Sequence, residues 1–168
     1  MIFDIVMNKI INTEEAINIA KKLREQNKSI VLAGGCFDIL HVGHIAFLEK
    51  AKKYGDSLFV LLESDKSVKD KKGPGRPINS QKERAIILSA LRFVDYIVML
   101  PYIAENEKYD KIVGTIKPLY LATTDKDPYV YHKKRQAKQI GAKVVFVGKI
   151  ISDKSTTRLA KIINELYL

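Results

Sequence analysis

The stretch GGCFDILHVGH, Gly34 to His44, sets two histidines three residues apart with a glycine between them, where an apolar run gives way to a helical pattern. Gly34 and Gly35 let a backbone approach a ligand closely, and the free amides that open a helix attract anions. If His41 begins the helix, His41 and His44 share a face, and Gly43 leaves room beside them for a phosphate. Each imidazole can donate a hydrogen bond, and a neighbouring polyphosphate would favour its protonation. A metal site would add Cys36 as a third ligand. However, His-x-x-His is not a usual zinc spacing and no fourth ligand is evident, so no metal site is expected. Two incidental packing histidines are the remaining reading. Glycines, strand end and helix start together favour phosphate.

Further groups suit the same chemistry. The segment SDKSVKDKKGPGRPIN gathers Lys66, Lys69, Lys71, Lys72 and Arg76. It is either a solvated surface loop or a cationic lid that closes over a triphosphate and excludes water. Arg84 and Arg92, in ERAIILSALRF, are exposed helix arginines or phosphate ligands. Ser155, Thr156 and Thr157 open the last helical pattern, as an ordinary N-cap or as hydroxyl donors aided by the helix dipole. Asp38 could orient His41, border an acceptor or cap its loop. No Ser-His-Asp constellation is visible.

The elements that must position these groups alternate. Apolar runs predict five strands: SIVLAGG, SLFVLLE, DYIVML, LYLAT and AKVVFVG. Between them, periodic patterns predict helices: NTEEAINIAKKLRE, with Asn12 and Glu15 spaced as a capping box, then HIAFLEKAKKYG, SQKERAIILSAL, Ala104–Ile116, YVYHKKRQAKQIG and STTRLAKIINELY. Residues 64–79 read as a polar loop. Apolar strands separated by helices imply parallel pairing, hence an α/β, Rossmann-like, doubly wound sheet of five mainly parallel strands with helices on both faces. In such a sheet ligands sit beyond the carboxyl ends of the strands, where the strand order reverses. The 168 residues read as one domain, with residues 1–28 an extension whose helix packs on the core.

A hydrophobic share of 46% with 29% charged residues describes a globular chain, not a disordered one. No apolar run reaches the roughly 18 residues a membrane span needs. The opening MIFDIVMNKIINTEE lacks a basic secretory flank, and one cysteine excludes an internal disulfide, so a cytoplasmic location is expected. The net charge of +10 attracts anions without choosing among them. A nucleic-acid-binding module is the alternative from another class. It is disfavoured because no recognition motif is present and the basic residues fall in separate segments.

GCFDILHVGH followed by AKKYGD resembles the nucleotidyltransferase superfamily with the H-x-G-H signature, and the likeness extends from about Lys9 to Ile163. That group includes glycerol-3-phosphate cytidylyltransferase, the adenylyltransferase acting on heptose 1-phosphate, and FMN adenylyltransferase. The resemblance implies transfer of AMP or CMP from ATP or CTP to a small phosphorylated acceptor, with magnesium accompanying the nucleotide and a homodimer as the assembly. It implies catalytic roles for His41, His44, Lys69 and Lys72. Nucleotide contacts would come from Gly35, Cys36, Phe37, Gly43, Lys71, Arg84, Arg92, Ser155, Thr156 and Thr157, and acceptor contacts from Asp38 and Asp125. Two departures stand out. The heptose enzymes carry Lys-Gly-Gly-Asp where this chain has ATTD, Ala122 to Asp125, and Ile150 stands near a position where cytidylyltransferases have arginine.

Overall fold

The computed structural model describes residues 8–148. Strands β1 (Ile10–Ile11), β2 (Ile30–Gly35), β3 (Ser57–Leu62), β4 (Tyr96–Met99), β5 (Tyr120–Thr123) and β6 (Lys143–Phe146) form one sheet. Their order is β1-β4-β3-β2-β5-β6 and every pair is parallel. Six helices are described: α1 (Thr13–Glu25), α2 (Val42–Lys52), α3 (Asp65–Lys72), α4 (Gln81–Ser89), α5 (Asn106–Ile116) and α6 (Val130–Ile140).

Alternate residues along each strand point to opposite faces, and both faces are covered. Val31, Ala33, Val60 and Leu62 pack with Leu48 and Ala51 of α2 and Ala85 and Leu88 of α4. Ile30, Leu32, Phe59 and Leu61 pack with Ala16 and Ala20 of α1, Val113 and Ile116 of α5, and Ala137 of α6. Capping chemistry sets several helix ends. Asn12 and Glu15 form the expected box at α1, Ser80 and Glu83 form a second at α4, and Gly141 closes α6 in the left-handed region at φ 73°.

The sheet has six described strands, not five. The added one, β1, pairs Ile10 with Ile97 and Ile11 with Val98, so the N-terminal extension supplies an edge strand as well as a helix. Two residues carry no readable alternation, which is why the pattern did not reveal it. Residues 64–79 are likewise not all loop. Within them α3 is capped by Ser64, whose side chain accepts from the Ser67 amide, and it ends at Gly73. DKSVKDKK offers no apolar stripe, but Asp65 in its first turn and lysines in its last match the helix dipole. The last predicted helix, STTRLAKIINELY, lies outside the described residues.

The strand order departs in two directions from β2, toward β3 and toward β5. The crevice beyond the carboxyl ends of β2 and β5 is therefore the reversal point where such sheets hold ligands.

Candidate active site

The chain leaves β2 through an unusual turn. Phe37 adopts φ 46°, a left-handed conformation that costs a bulky residue about 1–3 kcal/mol. Its ring is buried in the core on the α2 side, which offsets that cost. The ring folds back over Gly35, where an added Cβ would lie 2.9 Å from Phe37 Cε2, so only glycine fits. The other side of the Phe37 ring meets His44 edge-on at 5.1 Å.

His41 is the N-cap of α2, in an extended conformation, and its Nδ1 accepts a hydrogen bond from the Gly43 amide at 3.1 Å. The ring proton is then on Nε2, which remains a donor. The His41 and His44 rings stack with centroids 3.8 Å apart and planes 24° from parallel. Burial lowers the His41 pKa from its ordinary 6.5. Burial, then the neighbouring His41, pushes His44 down to about 4, while the Ile39 carbonyl pulls weakly the other way. The protein alone thus presents two neutral imidazoles at neutral pH, and a polyanion would have to supply what protonation requires.

These rings line a cavity of about 920 Å³ at the reversal point. The structure brings Gly35, Cys36, Phe37, Asp38, His41, Gly43, His44, Lys72 and Asp125 to it. The Cys36 thiol is held protonated by burial, with Glu63 adding to the shift against Lys71 and Lys72.

A second cavity, about 430 Å³, opens on the α5 and α6 side of the same strand ends. The two share Gly34, Gly35, Cys36 and Lys72, together with Asp127, Pro128, Tyr129 and Lys133, along their border. Glu63, at the exit of β3, has a side chain only 10% exposed, and its Oε1 accepts from Lys71 Nζ at 2.6 Å. Burial opposes the charge on Asp127. Lys133 Nζ at 2.6 Å, Thr123 Oγ1 at 2.6 Å and the Tyr129 amide outweigh it and hold that carboxyl below its ordinary range. Tyr109 reaches in from α5 so closely that a Cβ on Gly34 would lie 2.7 Å from its hydroxyl. Glu63, Tyr109, Asp127 and Lys133 were not anticipated. The only sequence signal was the placing of Asp127 in the loop after β5.

Residues 32–162 match the family described as Cytidylyltransferase-like. This chain belongs to that family of nucleotidyltransferases. It is 43% identical over 152 residues to the "Bifunctional protein HldE" of Aliarcobacter butzleri, covering 90% of this chain and 30% of that protein. The Campylobacter jejuni protein of the same name is 52% identical over 110 residues, covering 66% and 22%. The chain therefore spans less than a third of these relatives. Among solved structures, the lipopolysaccharide core biosynthesis protein from Thermoplasma volcanium superposes with a TM-score of 0.61 at 28% identity, covering 73% of this chain and 98% of the other. Pantoate-beta-alanine ligase from Francisella tularensis shares the fold, with a TM-score of 0.57 at 19% identity, covering 94% and 77%.

In this cytidylyltransferase-like chain several expected ligands take other places. Arg84 has no exposure. Its Nη1 donates to the Cys36 carbonyl at 2.5 Å, its Nη2 to the Glu63 carbonyl at 2.8 Å and to Asp65 at 2.7 Å, and its Nε to the Asn79 carbonyl at 3.0 Å. All three nitrogens are engaged inside the protein, so Arg84 fastens the site from beneath rather than gripping a nucleotide. Arg92 is exposed in the turn between α4 and β4, at the amino end of the sheet, away from both cavities. Asp38 is 2% exposed, and its carboxylate accepts from Arg76 Nε at 2.5 Å and from the amides of Ile78 and Asn79 at 2.8 and 3.1 Å. It caps its loop, leaving little for an acceptor. Lys69 is exposed on α3 and lines neither cavity, whereas Lys72 lines both and Lys71 lines the second. Asp125 borders the larger cavity only. Ser155, Thr156 and Thr157 lie outside the described residues. Among the described residues, no three His, Cys, Asp or Glu side chains gather as a metal site, and no helix is long and apolar enough to cross a membrane.

Proposed function

We propose that this chain transfers the nucleoside monophosphate of a nucleoside triphosphate, ATP in the favoured form, to the phosphate of a small sugar phosphate of the heptose 1-phosphate type, releasing pyrophosphate. The observation that carries this reading is the stacked His41–His44 pair at the start of α2, facing a large cavity at the point where the strand order reverses. The sugar acceptor is supported by likeness to proteins named HldE and to a lipopolysaccharide core biosynthesis protein.

An oxygen of the acceptor phosphate attacks the α-phosphorus in line. The bond from that phosphorus to the bridging oxygen breaks, and the electron pair leaves with pyrophosphate. A phosphate monoester is already nucleophilic near neutral pH, so alignment and charge stabilisation are what the protein must supply. The Nε2–H of His41 and the ring of His44 donate toward the leaving polyphosphate, where negative charge grows. Lys72, at the end of α3, neutralises the α-phosphate. Ser155, Thr156 and Thr157 are assigned to the far side of the nucleotide. Magnesium accompanying the triphosphate would add charge neutralisation, and no protein cage is assigned to it. We assign the reaction to the cytoplasm and to a homodimer.

A pyrophosphate-release screen tests this, crossing ATP and CTP with heptose and hexose 1-phosphates, glycerol 3-phosphate and FMN. Release with ATP and a sugar 1-phosphate is the expected result. Release only with CTP and glycerol 3-phosphate, or only with ATP and FMN, reassigns the substrates. No release, with steeply salt-dependent oligonucleotide binding, would replace the reading with a nucleic-acid-binding one.

A further inference from the structure

The larger cavity holds the stacked histidines, which leaves the 430 Å³ cavity on the other side of β2 without an occupant. It lies in the size range of small-molecule sites, roughly 300–1,000 Å³. Lys72 and Lys133 stand at the border with the larger cavity, where a reacting phosphate must reach. Away from that border Lys71 is engaged by Glu63, and the other hydrogen-bonding groups are neutral or acidic. The Tyr109 hydroxyl has no hydrogen-bond partner among the described residues although its ring is largely enclosed. Burial, then the charges of Glu63 and Asp127, raises its pKa, so it keeps its proton and can donate. Glu63 spends Oε1 on Lys71, while Oε2 has no partner among the described residues.

We propose that this second cavity is the acceptor pocket, in which the Tyr109 hydroxyl and the free oxygen of Glu63 bind the hydroxyl groups of a sugar whose phosphate lies toward Lys72. The inference rests on the functional reading above for the identity of the ligand, and replaces Asp38 and Asp125 as the acceptor contacts. A carboxylate with one oxygen still free and a protonated phenol suit the hydroxyls of a polyol, and Lys72 and Lys133 suit its anionic head. Gly34 is part of the device, because any Cβ there would collide with the Tyr109 hydroxyl.

The test compares the wild-type chain with Tyr109→Phe and Glu63→Gln, each checked for an unchanged thermal melt. Pyrophosphate release is measured with ATP and with glucose, mannose and heptose 1-phosphates. Calorimetry separately titrates the same sugar phosphates onto protein saturated with a non-hydrolysable ATP analogue. The expected result is a rise in acceptor KM, roughly three- to tenfold for Tyr109→Phe and ten- to hundredfold for Glu63→Gln, with the ATP KM held within about twofold. Sugar phosphate binding weakens in parallel. Turnover with unchanged acceptor KM in both variants overturns the pocket and leaves the reaction standing. Binding that the variants weaken, with no pyrophosphate released from any sugar phosphate, overturns the reaction and leaves the pocket standing. Neither binding nor turnover of sugar phosphates by the wild type, or turnover of FMN in their place, overturns both.

Discussion

The two cavities meet along Gly34 to Cys36, yet they are assembled in opposite ways. The larger one takes its histidines, its glycine turn and its helix start from one run of 11 residues, Gly34 to His44. The smaller one draws Glu63 from the end of β3, Tyr109 from α5, Asp127 from the loop after β5 and Lys133 from α6. Phosphate chemistry recurs unchanged from substrate to substrate, so one local cassette can serve it. Acceptor chemistry varies, and it is met here by side chains that long-range folding brings together.

Arg84 touches the border that both cavities share, so its loss should break the comparison altogether. Arg84→Met leaves three carbonyls unpaired and removes the partner of Asp65, and is expected to cost about 3–5 kcal/mol in urea denaturation, with affinity for both substrates falling together. Arg92→Ala should stay within about 0.5 kcal/mol and leave nucleotide affinity unchanged, which checks the opposite placing of the two arginines.

His44→Ala separates the cavities. Removing one transition-state donor typically costs about 3–4 kcal/mol, so turnover should fall by roughly two to three orders of magnitude in the pyrophosphate assay. Acceptor binding measured by calorimetry should hardly move.

The same histidine gives a stability signature. Unfolded, it takes a proton near pH 6.5, whereas in the folded chain it does so only at about 4. Between those values the unfolded state binds the extra proton, so stability falls as pH drops from 6.5 toward 4, by about 3 kcal/mol in total. His44→Gln should flatten that limb in denaturation curves recorded at stepped pH. A wild-type stability that stays level across the window would mean that His44 is not buried as described.

The smallest contrast lies within α3. Lys72→Ala should slow turnover about tenfold or more, and Lys69→Ala by less than about twofold, in the same assay. Equal losses would show that the end of α3 does not set which lysine reaches the phosphate.

How far the molecule could be read in advance follows the same division. GGCFDILHVGH, the box of Asn12 with Glu15 and the apolar runs are local signals, and the structure places a strand exit, a helix start and five strands where they say. The strand β1 was hidden because two residues have no period, and α3 because eight residues with one buried apolar side chain have no stripe. Arg84 sits in QKERAIILS like any surface arginine of an amphipathic helix. Only the carbonyls of Cys36, Glu63 and Asn79, supplied by distant parts of the chain, make it a buried one. Asp38 was legible as a loop cap but not distinguishable from an acceptor contact until Arg76, Ile78 and Asn79 closed around it. Tyr109 and Glu63 carry no spacing signal, since only the fold brings them to one cavity beyond the strand ends.

The mooring of residues 65–76 sets a limit on motion. Asp65 is tied to Arg84 at one end and Arg76 to Asp38 at the other, while Gly73 and Gly75 adopt positive φ values of 90° and 73° between them. Lys72 thus rides on a short leash with its slack gathered in two glycines. Those two ties hold the end of α3, and Lys72 with it, beside the cleft. Lengthening that leash by inserted residues should trade speed of catalysis for freedom of the lysine, without disturbing the sheet below.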